Sequence, residues 1–181
     1  MDRRQRKSRE AIFNAFTELL AKKDFAHITV GEIIEHADVG RATFYAHFET
    51  KEFLLKEFCG ELFCHVFDGV NGIDHRHIFH CDGSESVFLH LFQHLHKNDR
   101  NILSLLSGQN NSLFMAYFRS GLEQLVQRQL SVFSKRKSGQ IPEAFWEDYI
   151  VSVFMSTLNW WLSHGMQESP ETITEYFLQV I

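Results

Sequence analysis

The scarcity of helix-breaking residues is the feature that most restricts what this chain can fold into. Only 2 of its 181 residues are proline and 10 are glycine, and a fold of many short strands needs more turn residues than that. Apolar side chains recur every three or four positions, as Ile12, Phe16 and Leu19 do, which is the spacing of an amphipathic helix. The sequence therefore predicts an all-α fold.

The predicted helices differ in length between the two ends of the chain. Short or medium helices come first, and longer ones follow, so that we expect a small N-terminal domain over residues 1–50 and a larger helical domain over 51–181. The helices are predicted over about residues 8–22, 30–37, 41–48, 51–68, 85–97, 99–107, 111–136 and 143–165, with a last one starting near Pro170.

The second and third predicted helices are joined by a tight turn. Thr29 and Glu32 have the spacing of a capping box, in which each side chain satisfies a backbone amide of the other residue. The segment from Asp38 to Gly40 ends the second helix, because Asp and Gly tolerate the left-handed backbone of such a turn. Two short helices joined in this way form a helix-turn-helix, whose second helix enters the DNA major groove.

The third predicted helix carries the side chains that we expect to touch DNA. Arg41, Ala42 and Thr43 lie at its N-terminus, where a recognition helix meets base edges. The positive end of the helix dipole also favours phosphate there. Tyr45 and His47 follow at positions from which they can reach the DNA backbone.

Charge is distributed unevenly along the chain. The formal net charge is −5, which is unusual for a nucleic-acid binder. The first 57 residues balance ten basic against ten acidic side chains, however, and five of the basic ones lie within the first nine residues. We expect these nine residues to form an arm that follows DNA phosphates, rather than a solvated tail.

The run from Thr29 to Phe48, followed by Lys51 to Leu55, resembles the TetR/AcrR (tetracycline-repressor) family of bacterial transcriptional regulators. The likeness covers about residues 8–57, and its most specific part is the string Thr-Phe-Tyr-x-His-Phe-x-x-Lys at residues 43–51. Gly31, Asp38 and Gly40 depart from the residues that the family usually has at these positions.

The resemblance implies a role for each matching residue. It assigns base contacts to Arg41, Ala42 and Thr43, and it assigns phosphate contacts to the four residues Thr29, Tyr45, His47 and Lys51. It also implies a homodimer that binds near-palindromic operator DNA as a double strand. Such a regulator is a cytoplasmic protein and not an enzyme, and as a repressor it is released from DNA by a small effector.

The larger domain is rich in aromatic side chains, with 13 of the 18 Phe and all three Trp. Apolar and aromatic residues commonly line ligand pockets, and we expect a pocket for a small apolar or aromatic effector lined by Phe88, Phe92, Leu103, Phe114, Phe118 and Trp160. The family's last two long helices pair with their copies in a dimer, which predicts an interface formed by Phe145, Tyr149, Val153, Leu158, Trp161, Tyr176 and Phe177.

Two histidine-rich patterns raise the question of a metal. The segment His75–Asp82 contains three His and one Cys, and His90 and His94 form an i, i+4 pair. Neither pattern matches a known closed site, so we predict no metal and no cofactor. A metal-responsive regulator that uses His75–Asp82, and a ligand-binding module with a vestigial DNA-binding head, stay open as alternatives.

Several other functions are excluded by what the sequence lacks. It has no nucleophile elbow, no phosphate-binding glycine loop and no His-Glu-x-x-His, which argues against an enzyme. Its most apolar stretch, Tyr149 to Leu162, is shorter than the roughly 20 residues that cross a bilayer. We therefore expect no membrane contact, and we expect the three cysteines to be reduced thiols in the cytoplasm.

Overall fold

A computed structural model describes residues 3–70, 86–97, 112–133 and 139–181 of the chain. All regular elements in these four ranges are helical, which confirms the predicted all-α fold. They are α1 (Arg3–Leu20), a short 3-10 helix (Phe25–His27), α2 (Val30–His36), α3 (Arg41–His47), α4 (Lys51–Val70), α5 (Val87–Lys97), α6 (Ser112–Phe133), α7 (Glu143–Ser163) and α8 (Pro170–Val180).

The helix predicted over residues 99–107 lies outside the described residues, and so do Leu103 and the segment His75–Asp82. The first helix begins earlier than predicted. It starts at Arg3 instead of near Ser8, whose hydroxyl donates to the carbonyl of Arg4 at 3.1 Å inside the helix. The basic N-terminal residues from Arg3 onward are therefore part of α1.

The head of the molecule consists of α1, α2 and α3, with α1 contacting both of the others. Its core is aromatic. Phe13 meets Phe48 edge to face with ring centroids 5.3 Å apart, and Phe44 is fully buried beside them. Burying one such ring contributes roughly 1.5–3 kcal/mol, so a few aromatic residues suffice to hold three short helices together.

Helix α4 belongs both to the head and to the larger domain. Near its start, Phe58 packs against Phe13 and Phe16 of α1, with ring centroids 6.5 and 6.1 Å away. Farther along, α4 contacts α5 and α6, and Leu62 and Val66 are fully buried there. One continuous helix thus connects the core of the head with the core of the larger domain.

The larger domain is organised around Phe154 of α7, which is fully buried. Its ring lies 4.6 Å from that of Phe92 and 5.4 Å from that of Phe177. Phe88 and Phe118 complete the cluster at 5.8 and 6.4 Å. The cluster joins four helices, α5 to α8, into one core.

Within the four described ranges, no helix is both long enough and apolar enough to cross a membrane.

Candidate nucleic-acid interface

The N-terminus of α2 is fixed by the predicted capping box. The Thr29 hydroxyl accepts from the backbone N–H of Glu32 at 3.3 Å, and the Glu32 carboxylate accepts from the backbone N–H of Thr29 at 2.9 Å. Lys23 donates to the same carboxylate. The hydrogen bond from Lys23, followed by those from Thr29, lowers the pKa of Glu32 from 4.5 to about 2.

The turn between α2 and α3 depends on Asp38, which adopts a left-handed backbone with φ of 50°. Its N–H donates to the carbonyl of Glu35 at 3.3 Å, and the N–H of Val39 donates to that of Ile34 at 3.2 Å. Gly40, by contrast, is extended at φ −72° and caps α3 without a side chain. Of the two residues expected to tolerate a left-handed backbone, Asp38 is the one that adopts it.

Helix α3 turns one face inward and presents the other to solvent. Phe44 and Phe48 at its inner face are fully buried. Arg41 and Ala42 are exposed, and Tyr45 is 49% exposed. Thr43 and His47 are half-buried beside them. One open face of α3 therefore carries, on it or next to it, the three predicted base contacts and two of the four predicted phosphate contacts.

That open face continues onto the first turns of α1. A groove between the two helices is lined by Arg4, Gln5, Ser8, Asp38, Val39, Gly40, Ala42, Thr43, Ala46 and His47. Arg4 and Gln5 are exposed. The sequence pattern located α3 but did not indicate that α1 lies alongside it, because this proximity arises from the packing of the two helices.

His47 is a predicted phosphate contact, but its ring differs in charge from a lysine or arginine side chain. Burial, and secondarily the positive charge of Arg9, lower the pKa of His47 below its ordinary value of 6.5. The ring is therefore neutral at physiological pH, and it can offer a phosphate a hydrogen bond but no positive charge.

Lys51 and Thr29 are already engaged within the head. The Lys51 ammonium donates to the carbonyls of Phe25, Ala26 and Ile28 at 3.0, 3.2 and 2.9 Å. A lysine has three N–H donors, so the three carbonyls give Lys51 a structural role in the head, and its predicted phosphate contact stays a prediction. The Thr29 side chain is exposed, but its hydroxyl donates to Glu32 at 2.8 Å.

Arg9 is the basic N-terminal residue that points toward α4. Its guanidinium donates to the carboxylates of Glu57 and Glu61 at 3.1 and 2.9 Å, and it lies 4.8 Å from the ring centroid of Phe13. This ion-pair network fastens α1 to α4. Sequence reasoning missed it, because Arg9 is separated from its partners by about fifty residues.

Comparison with known proteins agrees with this geometry. Residues 8–58 match the sequence model described as "Bacterial regulatory proteins, tetR family", and residues 82–181 match "Transcriptional regulator C-terminal region" of the same family. A solved TetR transcriptional regulator from Streptococcus agalactiae is 36% identical. Its alignment covers 99% of this chain and 96% of that one, with a TM-score of 0.72.

This chain belongs to the TetR family. TetR-family proteins are DNA-binding transcriptional regulators and not enzymes. The resemblance found in residues 8–57 is confirmed, and the family match extends to residues 82–181.

Two further relatives are more distant. A curated regulator of Bacillus subtilis, the HTH-type transcriptional regulator YxbF, is 24% identical over 184 residues. This TetR-family chain spans about half of the length of YxbF, since the match covers 100% of this chain and 46% of YxbF. NalD of Pseudomonas aeruginosa, the secondary repressor of the MexAB-OprM efflux pump, has a TM-score of 0.56 at 23% identity, with coverage of 96% and 94%. That likeness concerns the fold alone.

Four of the predicted pocket residues of this TetR-family chain are core residues. Phe88, Phe92, Phe114 and Phe118 are buried, and each packs its ring on another ring of the core. A pocket of about 160 Å³ lies elsewhere, between α4 and α6, and none of these four residues lines it. Trp160 is 41% exposed and belongs to an outer face instead.

The predicted dimer residues divide between the core and that outer face. Leu158, Trp161 and Phe177 are fully buried within one chain, so the prediction that they meet a second chain is corrected. The other four are solvent-accessible on α7 and α8, with Val153 half-buried and Phe145, Tyr149 and Tyr176 exposed by 63%, 38% and 46%.

Proposed function

We propose that this TetR-family regulator is a homodimer that binds a near-palindromic operator in double-stranded DNA through α3 of each subunit. The observation that carries the proposal is the open face of α3, where Arg41 and Ala42 are exposed on a helix anchored by Phe44 and Phe48. Residues 1–50 would act as the DNA-binding head and residues 51–181 as the regulatory and dimerisation domain of a cytoplasmic repressor.

Within this proposal, the side chains divide into two classes of DNA contact. Arg41, Ala42 and Thr43 would meet base edges, since the N-terminal part of a recognition helix does so. Tyr45 and His47 would donate hydrogen bonds to phosphates. Arg4 lines the groove beside α3 and is exposed, so it would supply positive charge that His47 lacks.

The dimer interface would be the outer face of α7 and α8. A shallow groove there is lined by Tyr149, Ser152, Val153, Ser156, Thr157, Trp160, Ile173, Tyr176 and Val180. Three large aromatic residues on this face are substantially exposed. Apolar patches of this kind on soluble proteins mark interaction sites, and a two-fold pairing of α7 and α8 would cover the same patch on both subunits.

Release from DNA would require an effector that prefers the weakly binding conformation. We place a small apolar or aromatic effector in the pocket between α4 and α6, which is lined in part by Cys59, Phe63, Tyr117 and Gly121. Its volume of about 160 Å³ is close to that of an engineered cavity that takes up benzene, about 150 Å³. A ligand wedged there would push on α4, which carries the head.

Fluorescence anisotropy tests the DNA-binding proposal. Purified protein is titrated onto labelled DNA from the region upstream of its gene, at increasing salt and with excess unrelated DNA. We expect tight binding that survives the competitor and weakens steeply with salt, as phosphate contacts require. Affinity equal to that for random DNA would contradict the proposal for that region.

Sedimentation equilibrium tests the dimer. The double variant Trp160→Asp/Tyr176→Asp places two charges in the proposed interface and should sediment as a monomer, while wild type sediments as a dimer. Ala116→Asp adds one charge at an exposed position of α6 and should leave the dimer intact. A dimeric double variant would contradict the proposed interface.

A further inference from the structure

Three histidines lie together in the interior where α4 meets α5. His65 of α4 is 7% exposed, and His90 and His94 of α5 are 0% and 3% exposed. The ring centroid of His65 lies 5.2 Å from that of His90 and 4.7 Å from that of His94. The centroids of His90 and His94 are 4.9 Å apart. In the described part of the chain, this is the one group of three such side chains with metal-ligand spacing.

The distances between the nitrogens suit one small cation. The Nε2 atoms of His90 and His94 are 3.2 Å apart. In a tetrahedral zinc site with Zn–N bonds of 2.0–2.1 Å, neighbouring nitrogens are about 3.3 Å apart. One nitrogen from each of the three rings lies within 4.8 Å of the other two, so shifts on the order of 1 Å would bring the three nitrogens to the spacing of a zinc site.

The protonation of His90 also suits a metal ligand. Its Nδ1 lies 3.1 Å from the carbonyl oxygen of Val66. A carbonyl only accepts, so Nδ1 carries the proton and Nε2 directs its lone pair at the cluster. In a metal-bound histidine, the ring nitrogen that does not bind the metal commonly donates its N–H to a group such as a backbone carbonyl.

A bound ion would be mechanically connected to the head. His65 follows Glu61 by one turn of α4, and Glu61 pairs with Arg9 of α1 at 2.9 Å. Drawing His65 toward α5 therefore acts, through one turn of rigid helix, on the ion-pair network that fastens α1 to α4. The three-histidine cluster and the DNA-facing groove of α1 and α3 share this connection.

We propose that His65, His90 and His94 bind one divalent transition-metal ion of the Zn²⁺ class, and that the ion changes the affinity of the head for its operator. Three imidazole ligands leave a fourth position for water, and nitrogen ligands select Zn²⁺, Co²⁺, Ni²⁺ or Cu²⁺ over Mg²⁺ and Ca²⁺. The metal site itself is independent of the proposed function, whereas the effect on operator affinity rests on it.

Cobalt titration tests the site without any DNA. Full-length protein stripped with a chelator is titrated with Co²⁺, and we expect one ion per chain with the visible absorption of tetrahedral cobalt, displaced by Zn²⁺. His65→Gln and His94→Gln, each checked for folding by circular dichroism, should lose affinity by about tenfold or more. Absence of Co²⁺ binding by wild type would overturn the proposal without any variant.

Two controls locate the ion. His96→Gln removes an exposed histidine from the same helix and should leave cobalt binding unchanged. The triple variant His75→Gln/His77→Gln/His80→Gln tests the histidine-rich segment and should also bind one Co²⁺. Loss of the ion in the triple variant, or its retention in both His65→Gln and His94→Gln, would overturn the assignment to the three-histidine cluster.

The proposed effect of the ion on DNA binding is tested by measuring the operator affinity of the protein once with Zn²⁺ and once with a chelator. We expect a difference of about fivefold or more for wild type and none for His94→Gln. Zinc binding without a change in operator affinity would overturn this part alone. Failure to bind DNA in both states would overturn the proposed function and leave the cobalt result standing.

Discussion

The head and the larger domain use polar side chains in opposite ways. In the head, Thr29, Lys51 and Arg9 lie at or near the surface. Thr29 and Lys51 fix the ends of short helices, and Arg9 fastens α1 to α4. In the larger domain, His90 and His94 are buried, and their polar atoms face each other inside the core. Surface side chains on a rigid frame suit contact with DNA, whereas buried polar groups between helices suit a response to something bound inside.

Loss of the central ring in the larger domain gives the largest expected effect. Phe154→Ala removes the ring on which four other phenylalanines pack and should lower the free energy of unfolding by about 3–5 kcal/mol. Denaturant titration at fixed protein concentration measures this. Phe145→Ala, at a residue 63% exposed, should cost about 1 kcal/mol or less. Equal losses would contradict the division between core and outer face.

Lys51→Ala should also destabilise the protein, but through the head. It leaves three carbonyls without a charged donor, so we expect a loss of about 1.5–3 kcal/mol in the free energy of unfolding. Lys56→Ala, at an exposed position of the same helix, should be near neutral. If Lys51→Ala keeps full stability and loses only DNA affinity, Lys51 contacts phosphate after all.

Tyr45→Phe separates DNA contact from stability. The ring stays and only the exposed hydroxyl is lost, so thermal stability should be unchanged. DNA affinity should fall by about fivefold, or about 1 kcal/mol, on operator and random DNA alike, because phosphate contacts carry no sequence information. The salt dependence of binding should stay the same, since no charge is removed. A loss confined to operator DNA would instead indicate a base contact.

The smallest expected effect is a loss of stability at low pH, which arises at the N-terminus of α2. The pKa of Glu32 is lowered from 4.5 to about 2 in the folded protein. Its carboxylate therefore adds stability above pH 4.5, and this contribution is lost as the pH falls from 4.5 toward 2. The stability difference between wild type and Glu32→Gln should be constant from about pH 8 to 5 and then shrink. A constant difference down to pH 2 would contradict the lowered pKa.

What the sequence predicted well was local. The capping box of Thr29 and Glu32 and the left-handed turn at Asp38 depend on residues within a few positions of each other, so their spacing alone specifies them. The order and approximate bounds of the described helices followed from periodicity for the same reason.

What the sequence did not predict depends on contacts between distant segments. Lys51 meets carbonyls 23 to 26 residues away, and Arg9 meets carboxylates 48 and 52 residues away. Trp161 was assigned to the dimer interface although it is fully buried, because α7 is apolar on several sides and only its neighbours decide which side is buried. His65 was not associated with His90 and His94, since nothing local connects two helices.

The measurement that tests the central claim most directly is selection of bound duplexes from a random DNA library by the full chain. The result does not depend on where the natural operator lies. We predict enrichment of a two-fold symmetric sequence with half-sites about one helical turn or somewhat more apart, and loss of that enrichment in Arg41→Ala/Thr43→Ala. A wild-type chain that enriches no sequence would contradict the account of α3 as the helix that reads DNA.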